Sequence, residues 1–201
     1  KICNGSTPEN GEFEKQGIPF FRSQDFNLLD TDPKQYVTKD FHNTLLRSKV
    51  KHKDILIAII GATLGKIGFI KENILEANIN QNVVKMEINS EVIDPYYLVA
   101  YLNSNITKKQ INSLATGNIH SMLSHSKIKN INIIIPDKNY QNYISTKYKN
   151  VVELSQKANL LINKAKNIFY QNLNVNFNNI EKERFYSIQF SNIKKYNILT
   201  Y

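Results

Sequence analysis

The chain has little of what the commonest sites and staples are made from. Its 201 residues hold one cysteine, Cys3. A lone thiol makes no internal disulfide and no thiolate metal cluster, and it fits a reducing cytoplasm. The four histidines are scattered. His120 and His125 stand five apart with no cysteine near, and neither His42 nor His52 joins them at a ligand spacing, so zinc is not expected. No apolar run approaches the ~20 residues that cross a bilayer, and no signal-peptide pattern opens the chain, although Lys1 is not an initiator Met. A cytoplasmic protein is the expectation. Acidic residues are also in the minority: 17 Asp and Glu against 26 Lys and Arg give a formal charge of +9. Polyanions, nucleic acid first, are then the default class of partner, against the plainer reading of a basic protein from a lysine-, asparagine- and isoleucine-rich proteome.

What is present builds a core. Hydrophobic residues make up 41% of the chain, enough for one domain of ordinary size plus an appendage. Gly17-Ile-Pro-Phe-Phe-Arg22 reads as a short buried strand that delivers Arg22, Ser23, Gln24 and Asp25 to its mouth. Lys53 to Ile60 is the strongest strand, a continuous apolar run that has to be covered on both faces. Gly61-Ala-Thr-Leu-Gly65-Lys66 after it invites comparison with a phosphate-binding loop. The glycine spacing is one residue short, however, and Ile67 stands where a Mg²⁺-binding hydroxyl is required, so a hairpin turn with Lys66 at its tip is the better reading.

Glu76-Ala-Asn-Ile-Asn-Gln-Asn82 sets amides at the entrance of Val83–Ile88, which alternates like a half-buried strand. Asn78, Asn80 and Gln81 are therefore candidates for adenine edges or phosphates, or else for turn ties. Asp94-Pro95 fits an N-cap followed by proline at the first helical position, ahead of the stripe Leu98, Val99, Tyr101, Leu102. The tetrapeptide Asp94–Tyr97 lacks the second proline of the amino-methyltransferase signature. Ala115-Thr116-Gly117-Asn118 stops a helix, the loop through His120, Ser121 and Lys127 suits phosphate or base contacts, and Ile131–Pro136 reads as a further strand.

From Asn139 to Leu173 a heptad seam runs through Ile144, Tyr148, Val151, Ser155, Ala158, Ile162, Ala165 and Phe169, widened by Leu154, Leu161 and Ile168. At roughly 1.5 Å per residue this helix is on the order of 50 Å long, so it is expected to protrude and to meet another helix or chain. The contrary reading lays it on its own domain.

These pieces taken in order, from Lys1–Pro8 and Gly17-Ile-Pro-Phe through Asp54-Ile-Leu-Ile, Gly61–Lys66, Asn80-Gln-Asn82, Asp94-Pro-Tyr-Tyr-Leu98, Ala115-Thr-Gly117 and Ile131–Pro136, resemble the target recognition domain of type I restriction-modification specificity subunits. The resemblance covers roughly Lys1 to Leu173. It departs at the helix start, where Pro136-Asp-Lys-Asn-Tyr-Gln141 keeps only Pro136 and Gln141 of the usual run, and at Lys53, where a glycine is usual. The fold it implies is α+β: a mixed, largely antiparallel sheet domain with short helices over 1–136, then one long protruding coiled-coil-type helix over 137–174. A polar linker and the strand-like Arg184–Phe190 occupy 175–201, opening a second unit or completing a sheet.

The function it implies is sequence-specific reading of double-stranded DNA without catalysis. Partner methyltransferase subunits then modify adenine with S-adenosylmethionine, this chain binding no cofactor, and a restriction subunit is a further partner. Arg22, Ser23, Gln24, Lys66, Asn78, Asn80, Gln81, Asn118, His120, Ser121 and Lys127 are the candidate DNA contacts. Ile144, Tyr148, Val151, Ala158, Leu161, Ile162, Ala165 and Phe169 are the candidate helix interface, facing methyltransferase, the second half of the same subunit, or a second copy. The competing class is an enzyme: a nuclease, or the recognition part of a fused methyltransferase-nuclease. It rests on Pro136-Asp137 alone, with no acidic-x-Lys element following.

Overall fold

The computed structural model describes residues 1–9, 13–29, 31–115 and 122–172. Asn118, His120 and Ser121, with the linker and the Arg184–Phe190 strand, lie outside the described residues. In chain order the elements are β1 (Ile2–Asn4), β2 (Phe13–Glu14), β3 (Ile18–Phe21), β4 (Gln35–Val37), α1 (Lys39–Thr44), β5 (Ile55–Ala58), β6 (Ile67–Phe69), β7 (Asn78–Ile79) and β8 (Val83–Met86). The helices α2 (Pro95–Leu102), α3 (Asn105–Leu114), α4 (His125–Lys129) and α5 (Lys138–Asn172) follow. The fold is α+β, its strands mainly antiparallel, with a long helix as the last element among the described residues. The chain divides into two units, Lys1–Lys157 and Ala158–Tyr201, so the first part of α5 belongs to the same unit as the sheets.

Two four-stranded sheets carry that first unit, in the orders β1-β8-β5-β6 and β2-β4-β3-β7. Strand β5 is central to the first sheet and buried at every residue, because a continuous Ile-Leu-Ile-Ala run offers no polar face. One face packs with Val84, Met86, Val99, Leu102, Ile111 and Leu123; the other joins Phe21, Phe26, Ile70, Ile79 and Val83. The hairpin expected after β5 is present, with Ile57 opposite Ile67 in antiparallel register. Its turn is a 3-10 segment, Gly61–Thr63. Gly65 adopts φ 77°, and a Cβ there would press on Ile111, so glycine is required twice over. Lys66 is not at the tip of the turn but at its base, where its carbonyl accepts from the Ala58 amide at 2.9 Å.

Strand β8, expected to be half-buried, is buried at all four residues, Lys85 included. A lysine survives there because its ammonium lies 3.6 Å from Asp54 and donates to the Lys49 carbonyl. Ile131–Pro136 is not a strand among the described residues. Its polar backbone is instead held by side chains: Tyr97 Oη donates to the Ile134 carbonyl at 2.8 Å, and the Asn132 amide donates to Gln110 at 2.8 Å. The apolar run looked strand-like, yet Ile133, Ile134 and Ile135 are exposed.

Asp94 is the N-cap of α2 as expected, its Oδ1 accepting from the Tyr96 and Tyr97 amides at 2.8 and 2.9 Å. The same oxygen accepts from Ser145 Oγ at 2.5 Å, and the Asp94 amide donates to Gln141 at 2.9 Å. One carboxylate thus starts one helix and fastens another. Asp137 caps α5 in turn, accepting from the Tyr140 amide at 3.0 Å.

Lys53 has φ 72°, the left-handed conformation in which a side chain costs roughly 1–2 kcal/mol. Lys53→Gly is expected to stabilise the domain by about 0.5–1 kcal/mol, since lost strain exceeds added chain entropy. Thermal melting checks it, by a rise in Tm.

Candidate nucleic-acid interface

Antiparallel pairing decides which loops meet. Asn4 lies opposite Val84, Ala58 opposite Val83, and Ile57 opposite Ile67, so the ends of β1 and β5 and the starts of β6 and β8 share one end of their sheet. The parallel pair β3 and β7 ends beside them, because Asn80, two residues ahead of Asn82 and β8, donates its amide to the Phe21 carbonyl at 3.1 Å. Six strand ends converge there. The amide of Ile59 donates to the Asn82 carbonyl at 3.0 Å, and that of Leu123 to the Ile59 carbonyl at 2.9 Å, which brings the approach to α4 to the same end. Ser124 caps α4 by accepting from the Lys127 amide.

This end of the sheets gathers most of the described residues picked out as DNA contacts. Ser23 is half-buried and Gln24 exposed beside the end of β3. Arg22 is there too, but it is committed: Nε donates to Asp25 Oδ2 at 3.0 Å and Nη2 to Oδ1 at 3.3 Å, and Asp25 also accepts from the Arg22 amide. The buried carboxylate fixes the guanidinium fork and uses two of its five donors. Lys66 holds its ammonium 5.9 Å from the Phe26 ring centre. Asn80 ties its own turn by accepting from the Asn82 amide at 3.2 Å. Exposed Gln81 accepts from Thr7, and its carbonyl accepts from Asn4 Nδ2 at 3.4 Å, so the N-terminal loop is stitched to this rim. Lys127 is half-buried on α4.

Asn78 does not belong with them. It is 0% exposed, and its side chain turns to α1, where Oδ1 lies 2.5 Å from His42 Nδ1. A side chain with no surface touches no base. The amide row Asn78, Asn80, Gln81 looked uniform in sequence because nothing local distinguishes an amide facing a helix from one facing solvent.

The helix residues also part company. Tyr148 is buried and donates its hydroxyl to the Leu28 carbonyl at 2.7 Å, so it serves its own domain and not a partner helix, while half-buried Ile144 packs against the same core. The contrary reading, a helix lying on its own domain, holds for this first part of the seam. Val151, Leu161, Ile162 and Phe169 are exposed, as are Ala158 and Ala165. Around Tyr148 an aromatic cluster with Phe69 and Tyr96 borders a cavity of about 480 Å³ that Lys149, Glu72 and Glu153 also line. Burial, the hydrogen bond to Glu72 and that carboxylate's charge push the Tyr96 phenol up to about 12. The Lys149 ammonium sits 4.3 Å from the Tyr96 ring centre.

The sequence profile of the type I restriction modification DNA specificity domain matches residues 1–164. The chain belongs to that family. It is 25% identical over 166 residues to the type I restriction enzyme EcoBI specificity subunit of Escherichia coli, covering 82% of this chain and 34% of the relative. To the MjaVIII specificity subunit of Methanocaldococcus jannaschii it is 25% identical over 173 residues, covering 82% and 41%. The chain therefore spans well under half the length of these relatives. Among solved structures, the HsdS subunit from Thermoanaerobacter tengcongensis has the same fold, with a TM-score of 0.55 at 17% identity over 79% of this chain and 37% of that one.

Proposed function

We propose that this chain reads a short DNA sequence in duplex form and directs adenine methylation by partner methyltransferase subunits, which use S-adenosylmethionine. In this reading it performs no reaction and binds no cofactor. The observation that carries the reading is the convergence of Thr7, Ser23, Gln24, Lys66, Asn80, Gln81 and Lys127 at one end of the two sheets, in a protein of net charge +9. Amides and hydroxyls read base edges, while lysines neutralise phosphates and set register. Arg22, braced by Asp25, keeps donors to spare for an acceptor edge or a phosphate. The outer seam from Val151 to Phe169 is the surface that methyltransferase or a second recognition unit would cover, and a restriction subunit is a further partner. Asp137, the one echo of a nuclease core, accepts from the Tyr140 amide as a helix cap, which supports a structural role for it.

The test is the salt dependence of duplex binding. Neutralising several phosphates makes log K fall with log salt by several units between roughly 50 and 200 mM, and Lys66→Ala weakens all duplexes alike with a slope reduced by about one. Salt-independent binding would remove the phosphate-contacting rim from the proposal.

A further inference from the structure

Strand β7 poses a register problem. Ala77, Asn78 and Ile79 are all 0% exposed, so the strand has no solvent face, and the usual alternation that tells a strand which residue points which way is missing. Only two residues pair with β3, Asn78 opposite Phe20 and Ile79 opposite Phe21. Behind the strand, His42 of α1 is buried with its Nδ1 2.5 Å from Asn78 Oδ1 and its Nε2 2.9 Å from Glu76 Oε2. The Asn78 Nδ2 atom is buried with no partner.

The chemistry of the ring narrows the arrangement. With both ring nitrogens facing oxygens, a neutral imidazole can donate at only one of them. Turning the Asn78 amide over lets a neutral ring serve: Nε2 donates to Glu76, Nδ1 accepts from Asn78 Nδ2, and the orphaned donor gains a partner. In either arrangement a one-residue slip of β7 would drive Asn78 away from His42 and leave buried polar groups unmet on both sides. On the opposite edge the Ser6 amide donates to the Ile79 carbonyl at 3.1 Å, and a Cβ on Gly5 would collide with that carbonyl, so the strand is closely fitted there as well.

We infer that the Glu76–His42–Asn78 relay is a register lock on β7 and, through it, a positioning device that sets which DNA sequence is read, because Asn80, Gln81 and Asn82 follow the locked strand directly. The specificity half of this inference rests on the DNA-reading proposal; the register half does not. His42 and Asn78 touch no DNA in it. They hold the backbone from which the reading side chains project, as buried polar groups fix register in helical pairs.

The experiment compares the full chain with His42→Leu/Asn78→Leu, which fills the same space without polarity, and with two single variants that each keep half the relay. His42→Asn retains an amide near the Nδ1 position and His42→Gln one near the Nε2 position. Amide hydrogen exchange at Asn80 and Asn82 is measured first, with circular dichroism to verify folding. Selection of sequences from a randomised duplex library follows. The lock predicts that the folded double variant exchanges the Asn80 and Asn82 amides at least about tenfold faster. Enrichment of the parent's motif should also drop about tenfold or more, with His42→Asn closer to the parent than His42→Gln. Unchanged exchange at Asn80 and Asn82 overturns the register lock. Faster exchange with an unchanged enriched motif overturns the specificity role alone. If the parent itself enriches no motif, DNA reading falls and takes the specificity role with it, whereas the exchange result still decides the lock. Should the double variant not fold, the contrast in exchange between His42→Asn and His42→Gln decides it: equal rates count against the lock.

Discussion

Lys85→Met is expected to destabilise the domain by about 3–5 kcal/mol at neutral pH, although methionine fits the space and is the more apolar residue. The reason is what it leaves behind. Asp54 is 2% exposed, and without the ammonium 3.6 Å away it retains only the Lys51 amide, which donates to its Oδ2 at 3.0 Å. Burial already pushes the Asp54 carboxyl above its ordinary value, against the pull of that amide and of Lys85. The folded protein therefore holds this proton more readily than the unfolded chain, so this group's contribution to stability falls as pH rises from the unfolded value through the folded one. Removing Lys85 widens that window upward. The variant's deficit is then largest at neutral pH and shrinks on acidification, and Asp54→Asn/Lys85→Met, which restores a neutral acceptor for the Lys51 amide, recovers more than half of it. Urea melts at neutral and mildly acidic pH measure both effects; a deficit that does not vary with pH would show that Asp54 is not the group left exposed to the loss.

Tyr148→Ala is expected to cost about 3–5 kcal/mol, in the range of deleting a large aromatic from a core. Tyr148 meets the Phe69 ring edge-on with centroids 6.4 Å apart, lies 6.4 Å from Tyr96, and donates to the Leu28 carbonyl at 2.7 Å. Tyr148→Phe keeps the rings and loses only the hydroxyl, so about 1–3 kcal/mol is expected from the stranded carbonyl. Burial pushes the Tyr148 phenol well above the ordinary value. Its contribution is therefore present below the unfolded phenol value near 10 and is lost as pH rises beyond it. Parent and Tyr148→Phe should converge in stability at strongly alkaline pH. Equal stability of Tyr148→Ala and parent in a chemical melt would detach α5 from the core.

How far the sequence spoke depended on whether its signals were local. The apolar run of β5, the Asp94-Pro95 helix start and the turn through Gly61 and Gly65 are each dictated by a few neighbouring residues, and each is present as expected. Lys53, noted as standing where glycine is usual, does take a positive φ. Long-range partners were not legible. The alternation of Val83–Ile88 does not reveal that Lys85 is buried, because the pairing with Asp54 joins residues 31 apart in sequence. The heptad pattern cannot tell an apolar stripe that meets its own core, at Ile144 and Tyr148, from one that stays open, at Leu161 and Phe169. At this end of the sheets the strand-end clustering of Arg22–Gln24 was foreseeable, but not that Asp25 would clamp Arg22, nor that His42 and Glu76 would hold Asn78 inside. Neither histidine nor amide carries a periodic signal.

The most direct measurement of the proposed DNA reading is the map of methylated adenines in the source genome, with and without its gene. Loss of one methylated sequence motif, with all others intact, is the predicted result. A methylation map unchanged by the deletion, in cells shown to produce the chain, would contradict a role in directing methylation.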